Sequence, residues 1–231
     1  MGHEICLQMA ANRWRIAVSD INQEAGPRVV KKLREIGSDA VFVPGDLGTA
    51  QGPREVVRAT VEHCGRLDVL VNCGGATTPV PAADLEGLTD EIFDRTVSLN
   101  LRGPFAMVRA FRPLLERGSG AAIVNISSIA ARTGLGSSLA YLAAKAGVDA
   151  LTIALAKVLA PRIRVFSVSP AGVDTDFVAG RSREALQKIA EKLPLAHVTT
   201  PDDVARAAVA CIVNLTSSTG IVVPVDEGRH L

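Results

Sequence analysis

Three residues in the middle of the chain have types and spacing that could do chemistry: Ser128, Tyr141 and Lys145, in the stretch SSIAARTGLGSSLAYLAAK at 127–145. Tyr141 and Lys145 are four apart in a segment with helical character, so they share one face and the ammonium can stand close to the phenol. A phenol with an ordinary pKa of about 10 is a poor base at neutral pH. A neighbouring cation favours the phenolate and makes the tyrosine a usable proton donor or acceptor. Ser128 offers a hydroxyl that could hold the reacting oxygen. A tyrosine and a lysine at this spacing are common by chance on amphipathic helices. The apolar run AAIVNI ending in Ser-Ser just ahead of them is what singles this pair out.

The elements that must position these side chains are legible around them. AAIVNISS (121–128) reads as a buried strand and 139–160 as a long helix. Further strands are expected at 15–20, 40–47, 67–75, 163–170 and 220–226. Helices are expected at 3–12, 24–37, 52–65, 89–99, 103–117, 182–192 and 201–214, with Gly37 and Gly65 closing two of them. Strand and helix alternate, and the strands are continuously apolar and β-branched. The pattern predicts an α/β fold, a doubly wound parallel sheet in three layers (α/β/α) with right-handed crossovers. No repeat, low-complexity tract or linker interrupts it, so residues 1–231 are expected to form a single domain. In such sheets a ligand sits beyond the carboxyl ends of the strands. Asp20, Asp46, Asn72, Ser128 and the segment after Pro170 all fall there.

Composition narrows the partners. Hydrophobic residues make up 48% of the 231 residues and aromatics only 3%, so the core is built from Ala, Val, Leu and Ile. The net charge of +1, with no charged block, points to neither nucleic acid nor an anionic membrane. No apolar run is expected to reach the length of a membrane span, and the first residues do not form a basic-then-apolar signal region. Cys6, Cys64, Cys73 and Cys211 are not in metal-ligand pairs, so no metal site is expected; free thiols suit a reducing cytoplasm. His3, His63, His197 and His230 are scattered, which suits surface or structural roles.

The joint order of these motifs resembles the short-chain dehydrogenase/reductase family, most closely the subfamily of 3-oxoacyl-carrier-protein reductases, with a Rossmann-like fold. GDL at 45–47 is similar to its adenine-contacting motif, and VNCGG at 71–75 to VNNAG, with Cys73 and Gly74 as departures. NL at 100–101 matches the motif whose asparagine anchors a water. NISS and YLAAK match the serine, tyrosine and lysine of the family's site. SPAGVDT at 169–175 is similar to PGxVxT, and TG at 219–220 with VDEG at 225–228 to the terminal TGxxxxVDGG, with Glu227 replacing a glycine.

The resemblance implies a hydride transfer between NAD(H) and a secondary alcohol or ketone, with Asn100, Ser128, Tyr141 and Lys145 catalytic. Tyr141 would handle the proton on the substrate oxygen, Lys145 would tune it and bind the nicotinamide ribose, Ser128 would orient the carbonyl and Asn100 would fix a relay water. Ser127 is expected to be structural. Cofactor contacts are implied for Gly2, Asp20, Asp46, Leu47, Asn72, Gly74, Val173 and Thr175, besides Tyr141 and Lys145. Asp20, at the end of its strand, could accept hydrogen bonds from the adenosine ribose and repel a 2′-phosphate, which favours NAD over NADP. Its plainer role is to cap the turn that follows. Substrate walls are expected at 77–81, 129–135, Leu139 and 176–197, the last as a lid. The resemblance also implies a homotetramer or homodimer through the helices at 103–117 and 139–160.

The N-terminus departs from the family. Its first strand and the first two glycines of TGxxxGxG have no counterpart before Met1-Gly2, and that strand should lie between those at 15–20 and 67–72. The expectation is a longer functional protein, which intact-mass analysis of native material decides. The rival is a short form that keeps the fold as a non-catalytic binding or assembly module.

Overall fold

A computed structural model describes residues 1–118, 120–175, 177–178 and 183–231. Of the expected lid, Asp176 and residues 179–182 lie outside the described residues. The element order is α1 (Gly2–Ala11), β1 (Ile16–Asp20), α2 (Ala25–Glu35), β2 (Ala40–Pro44), α3 (Gly52–Cys64), β3 (Val69–Asn72) and α4 (Asp90–Val97). A π-helical turn (Ser98–Arg102) leads directly into α5 (Gly103–Leu115). Then follow β4 (Ala121–Ile126), α6 (Ala130–Thr133), α7 (Leu139–Leu159), β5 (Ile163–Pro170), α8 (Arg183–Ala190), α9 (Pro201–Val213) and β6 (Ile221–Val225).

All strand pairs are parallel, and the fold is the Rossmann-like α/β arrangement expected. The sheet comes in two sections, β1-β2 and β3-β4-β5-β6. Among the described residues, β1 and β3 each have one edge without a strand partner. The period of two along a strand sorts its side chains into two layers. From β4, Ala122, Val124 and Ile126 pack with Ile5 and Met9 of α1, Leu33 of α2 and Val204 of α9. Ala121 and Ile123 face the other way, onto Val56 of α3, Met107 and Phe111 of α5 and Leu159 of α7. Phe166 of β5 is fully buried in the first layer.

Local chemistry moves several expected boundaries. The second strand stops at Pro44, which has no N–H for the ladder, and Asp46 lies in a turn where its Oδ1 accepts from Gly48 N at 2.8 Å. The third strand stops at Asn72, short of Gly75. The helix expected at 89–99 is α4, N-capped by Thr89, running on into the π-helical turn. Helix α7 also corrects the reading that no apolar run reaches membrane-span length. It has 21 residues and a mean hydropathy of 1.5, enough by length and composition. Here it lies against β5, with Tyr141 and Lys145 among its buried residues.

Candidate functional site

Helix α7 starts on its own cap: Ser138 Oγ accepts from Tyr141 N at 3.3 Å. That bond sets Tyr141 in the first helical turn and Lys145 one turn later on the same face. The Lys145 ammonium lies 5.6 Å from the centre of the Tyr141 ring. It donates to the Ile126 carbonyl at the end of β4, at 2.7 Å. Lys145 is only 6% exposed, and burial lowers its pKa from 10.5 to about 8. Cys73 and Asp149 act in the opposite direction, favouring the charged form. The Phe177 ring lies tilted at 5.8 Å on Tyr141.

The two serines after β4 have different surroundings. Ser127 is buried and donates to the Lys145 carbonyl at 3.2 Å, joining the strand end to α7. Ser128 is half-buried and accepts from Ala130 N at 3.3 Å. An accepting hydroxyl oxygen still has its own proton to donate.

Asn100 is fully buried in the middle of the π-helical turn, a form often found at functional sites. Its Nδ2 donates to Ala76 O at 2.7 Å and Thr96 O at 2.9 Å, while its Oδ1 has no partner among the described residues. A buried acceptor is costly to leave unpaired, so this oxygen marks a place for a water or a ligand group. It lies beside Lys145: a methyl group built on Gly75 would be 2.7 Å from Asn100 Oδ1 and 3.9 Å from Lys145 Nζ. The bare backbone of Gly75 is what leaves this space open.

The expected cofactor contacts also gather at the carboxyl ends of the strands. Asp20 is exposed at the end of β1, and its Oδ1 accepts from Asn22 N at 2.8 Å, so the turn-capping role is realised. Its carbonyl accepts from Gly45 N, tying it to the Asp46 turn. Leu47 reaches Gly74: a Cβ there would be 3.4 Å from its methyl. Gly2 opens α1 beside Cys73, whose sulfur would lie 3.5 Å from a Cβ at Gly2. Asn72 is buried and donates to Asn125 Oδ1 at 2.9 Å, and Asn125 donates in turn to Thr152 Oγ1. This network serves the sheet and α7. Val173 is buried, and Thr175 Oγ1 is buried without a partner among the described residues. Asn72 Oδ1, Asn100 Oδ1 and Thr175 Oγ1 are thus buried without a partner among the described residues, alongside bare glycines at 74 and 75 and a helix start at Gly2. These suit a dinucleotide, whose phosphates favour a helix N-terminus.

Of the expected substrate walls, Thr77 and Ser137 meet hydroxyl to hydroxyl at 2.6 Å, and Leu135 is exposed. Cavities of about 40 and 250 Å³ lie beside α8 and share His197 and Val198, with none of Ser128, Tyr141 and Lys145 in their walls. His197 also comes within 4.8 Å of Asp203 and Glu227, ligand atom to ligand atom. Asp203 already accepts from the Thr200 N–H and hydroxyl as the capping box of α9, so a structural role explains this cluster.

Comparison with known proteins agrees with the fold. The sequence model of a family described as enoyl-(acyl carrier protein) reductase matches residues 1–230. A short-chain dehydrogenase/reductase from Cladobotryum sp is 34% identical over 239 residues, 99% of this chain and 91% of the relative. A 3-oxoacyl-[acyl-carrier-protein] reductase of Staphylococcus aureus is 30% identical over 207 residues, 89% of this chain and 83% of the relative. The crystal structure of a 3-ketoacyl-(acyl-carrier-protein) reductase from Brucella melitensis, complexed with NADH, superposes with a TM-score of 0.89 at 28% identity, covering 100% of this chain and 93% of that one. Fold, residue order and relatives converge: the chain belongs to the short-chain dehydrogenase/reductase family.

Proposed function

We propose that this oxidoreductase moves a hydride between NAD(H) and a secondary alcohol or ketone, with Tyr141 handling the proton. The observation that carries the reading is the buried Lys145 ammonium held against the Tyr141 ring, with the open Asn100 oxygen beside it. The nicotinamide, when bound, supplies or accepts the hydride. In the reducing direction, Ser128 and Tyr141 donate hydrogen bonds to the ketone oxygen. Tyr141 passes its proton to that oxygen as the carbon gains the hydride, and the phenolate left behind is favoured by the Lys145 charge. A proton returns from solvent past Asn100, so ketone, NADH and one proton become alcohol and NAD. Gly2, Asp20, Asp46, Leu47, Asn72, Gly74, Val173 and Thr175, with Tyr141 and Lys145, would hold the cofactor.

The test is NADH consumption with a panel of ketones and β-ketoacyl thioesters. The thioesters enter because relatives carry the names of carrier-protein reductases. Enoyl thioesters belong in the panel too, since the matching family is described by that activity. Two hydroxyls around one oxygen favour the carbonyl over the alkene, so turnover of enoyl substrates alone would overturn the reading. A non-catalytic role would leave the Asn-Ser-Tyr-Lys set without a use.

The carboxylate of Asp20 favours NAD because a 2′-phosphate beside it would be repelled. Exchanging it for serine is expected to raise the NADPH-to-NADH ratio of kcat/KM about tenfold, roughly the effect of 1.4 kcal/mol. An unchanged ratio would remove Asp20 from cofactor choice. The four cysteines are free thiols, which suits a cytoplasmic protein. Helices α5 and α7 leave Phe105, Ile153 and Val158 exposed, a surface for a homodimer or homotetramer; a monomer mass in light scattering would rule that out.

A further inference from the structure

Arg102 is the residue on which we place a new role: we propose that it clamps the turn after β2 and thereby sets the affinity for the cofactor without taking part in the chemistry. The inference rests on the function proposed above, which puts Asp46 and Leu47 at the cofactor.

Residues two apart on a helical turn point to opposite sides. In the π-helical turn, Asn100 points inward to Ala76 and Thr96, and Arg102 points outward. Its guanidinium donates to the Thr49 carbonyl at 3.3 Å and to the Gly48 carbonyl. Beyond the Gly45 N–H bond to the Asp20 carbonyl at its start, the turn is hydrogen-bonded within itself and to the first residue of α3. Gly48 N donates to Asp46 Oδ1, the Thr49 hydroxyl donates to the Asp46 carbonyl at 3.0 Å, and Gly52 N donates to Thr49 Oγ1. None of those bonds ties the turn to the π-helical turn or to α5. Gly103, next to Arg102, supplies the seat: a Cβ there would be 2.9 Å from the Leu47 carbonyl, so the turn rests directly on the helix backbone. One fork-shaped cation therefore holds two carbonyls that would otherwise turn to water. Arg102 is exposed and contacts neither Tyr141 nor Lys145 among the bonds described, so its removal should leave the proton-transfer groups where they are.

Arg102→Ala is expected to raise the Kd for NADH about tenfold in a fluorescence titration, with kcat at saturating NADH within twofold of the parent. Hydrogen exchange of the 46–50 amides, measured without cofactor, should become faster. Arg102→Lys, which keeps the charge but loses the fork, should fall between the two. Arg112→Ala, which removes an exposed cation paired with Glu116 on α5, should match the parent in both measurements. Unchanged exchange in the 46–50 turn, or a fall in kcat with Kd unaltered, would overturn the proposal. If the parent binds no NADH, it is the cofactor reading that fails, and faster exchange in Arg102→Ala still establishes the clamp.

Discussion

Tyr141→Phe is expected to lower NADH-dependent ketone reduction by roughly three orders of magnitude, within the range a positioned acid or base contributes, while NADH still binds. The exchange removes one oxygen and keeps the ring. The ring's contacts with Phe177 and Lys145, and the cap of α7 through Ser138, depend on the ring and the backbone and so survive. The proton donor to the substrate oxygen is lost with the phenol oxygen. Because that donor acts in the transition state, kcat should fall much more than KM rises. Equal rates in parent and variant would take Tyr141 out of the mechanism, whatever the cofactor titration gave.

Lys145→Met should have effects of two kinds. Activity is expected to fall by roughly two to three orders of magnitude, since the charge that favours the Tyr141 phenolate is gone. Stability should change in its dependence on pH. Burial lowers the Lys145 pKa from 10.5 to about 8, so the folded state prefers the neutral amine. That contribution to stability is fully present above pH 10.5 and is lost as the pH falls through 8, where the buried amine must take up a proton. The parent should therefore gain stability relative to the variant on going from pH 8 to 10.5, by an amount on the order of 3 kcal/mol at 1.36 kcal/mol per pH unit. Cys6 and Cys211, pushed up to about 11 by burial, titrate in the opposite sense in both proteins and cancel in the difference. Denaturant melts of both proteins across this window measure it; parallel curves would show that Lys145 keeps an ordinary proton affinity in the fold.

How far the chain could be read without its fold depended on the range of the forces involved. Tyr141 and Lys145 were recognisable because the helical period alone puts them on one face, and α7 forms from its own residues and the Ser138 cap. The β4 strand was equally plain, since all six of its residues are apolar or buried at the centre of a parallel sheet. Ser127 and Ser128 could be told apart only in part. The expected structural role of Ser127 fits its bond to the Lys145 carbonyl, which joins residues 18 apart in sequence.

The remaining features rest on contacts that no local pattern encodes. Register sets Asn72 opposite Asn125, and that pairing gives the buried amide its partner. The inward aim of Asn100 needs a π-helical turn, which the sequence reading did not foresee. The room between Asn100 and Lys145 depends on Gly75, a residue that sequence alone presents as one of a pair, allowing either a close backbone approach to a ribose or a simple turn. Arg102 finds the Gly48 and Thr49 carbonyls more than fifty residues back. Residue type and short-range period were therefore enough to name the reacting groups and the layers that carry them. Their protonation, the space between them and the bracing of the cofactor turn arise only when distant segments pack, because burial and hydrogen-bond partners are properties of the folded neighbourhood.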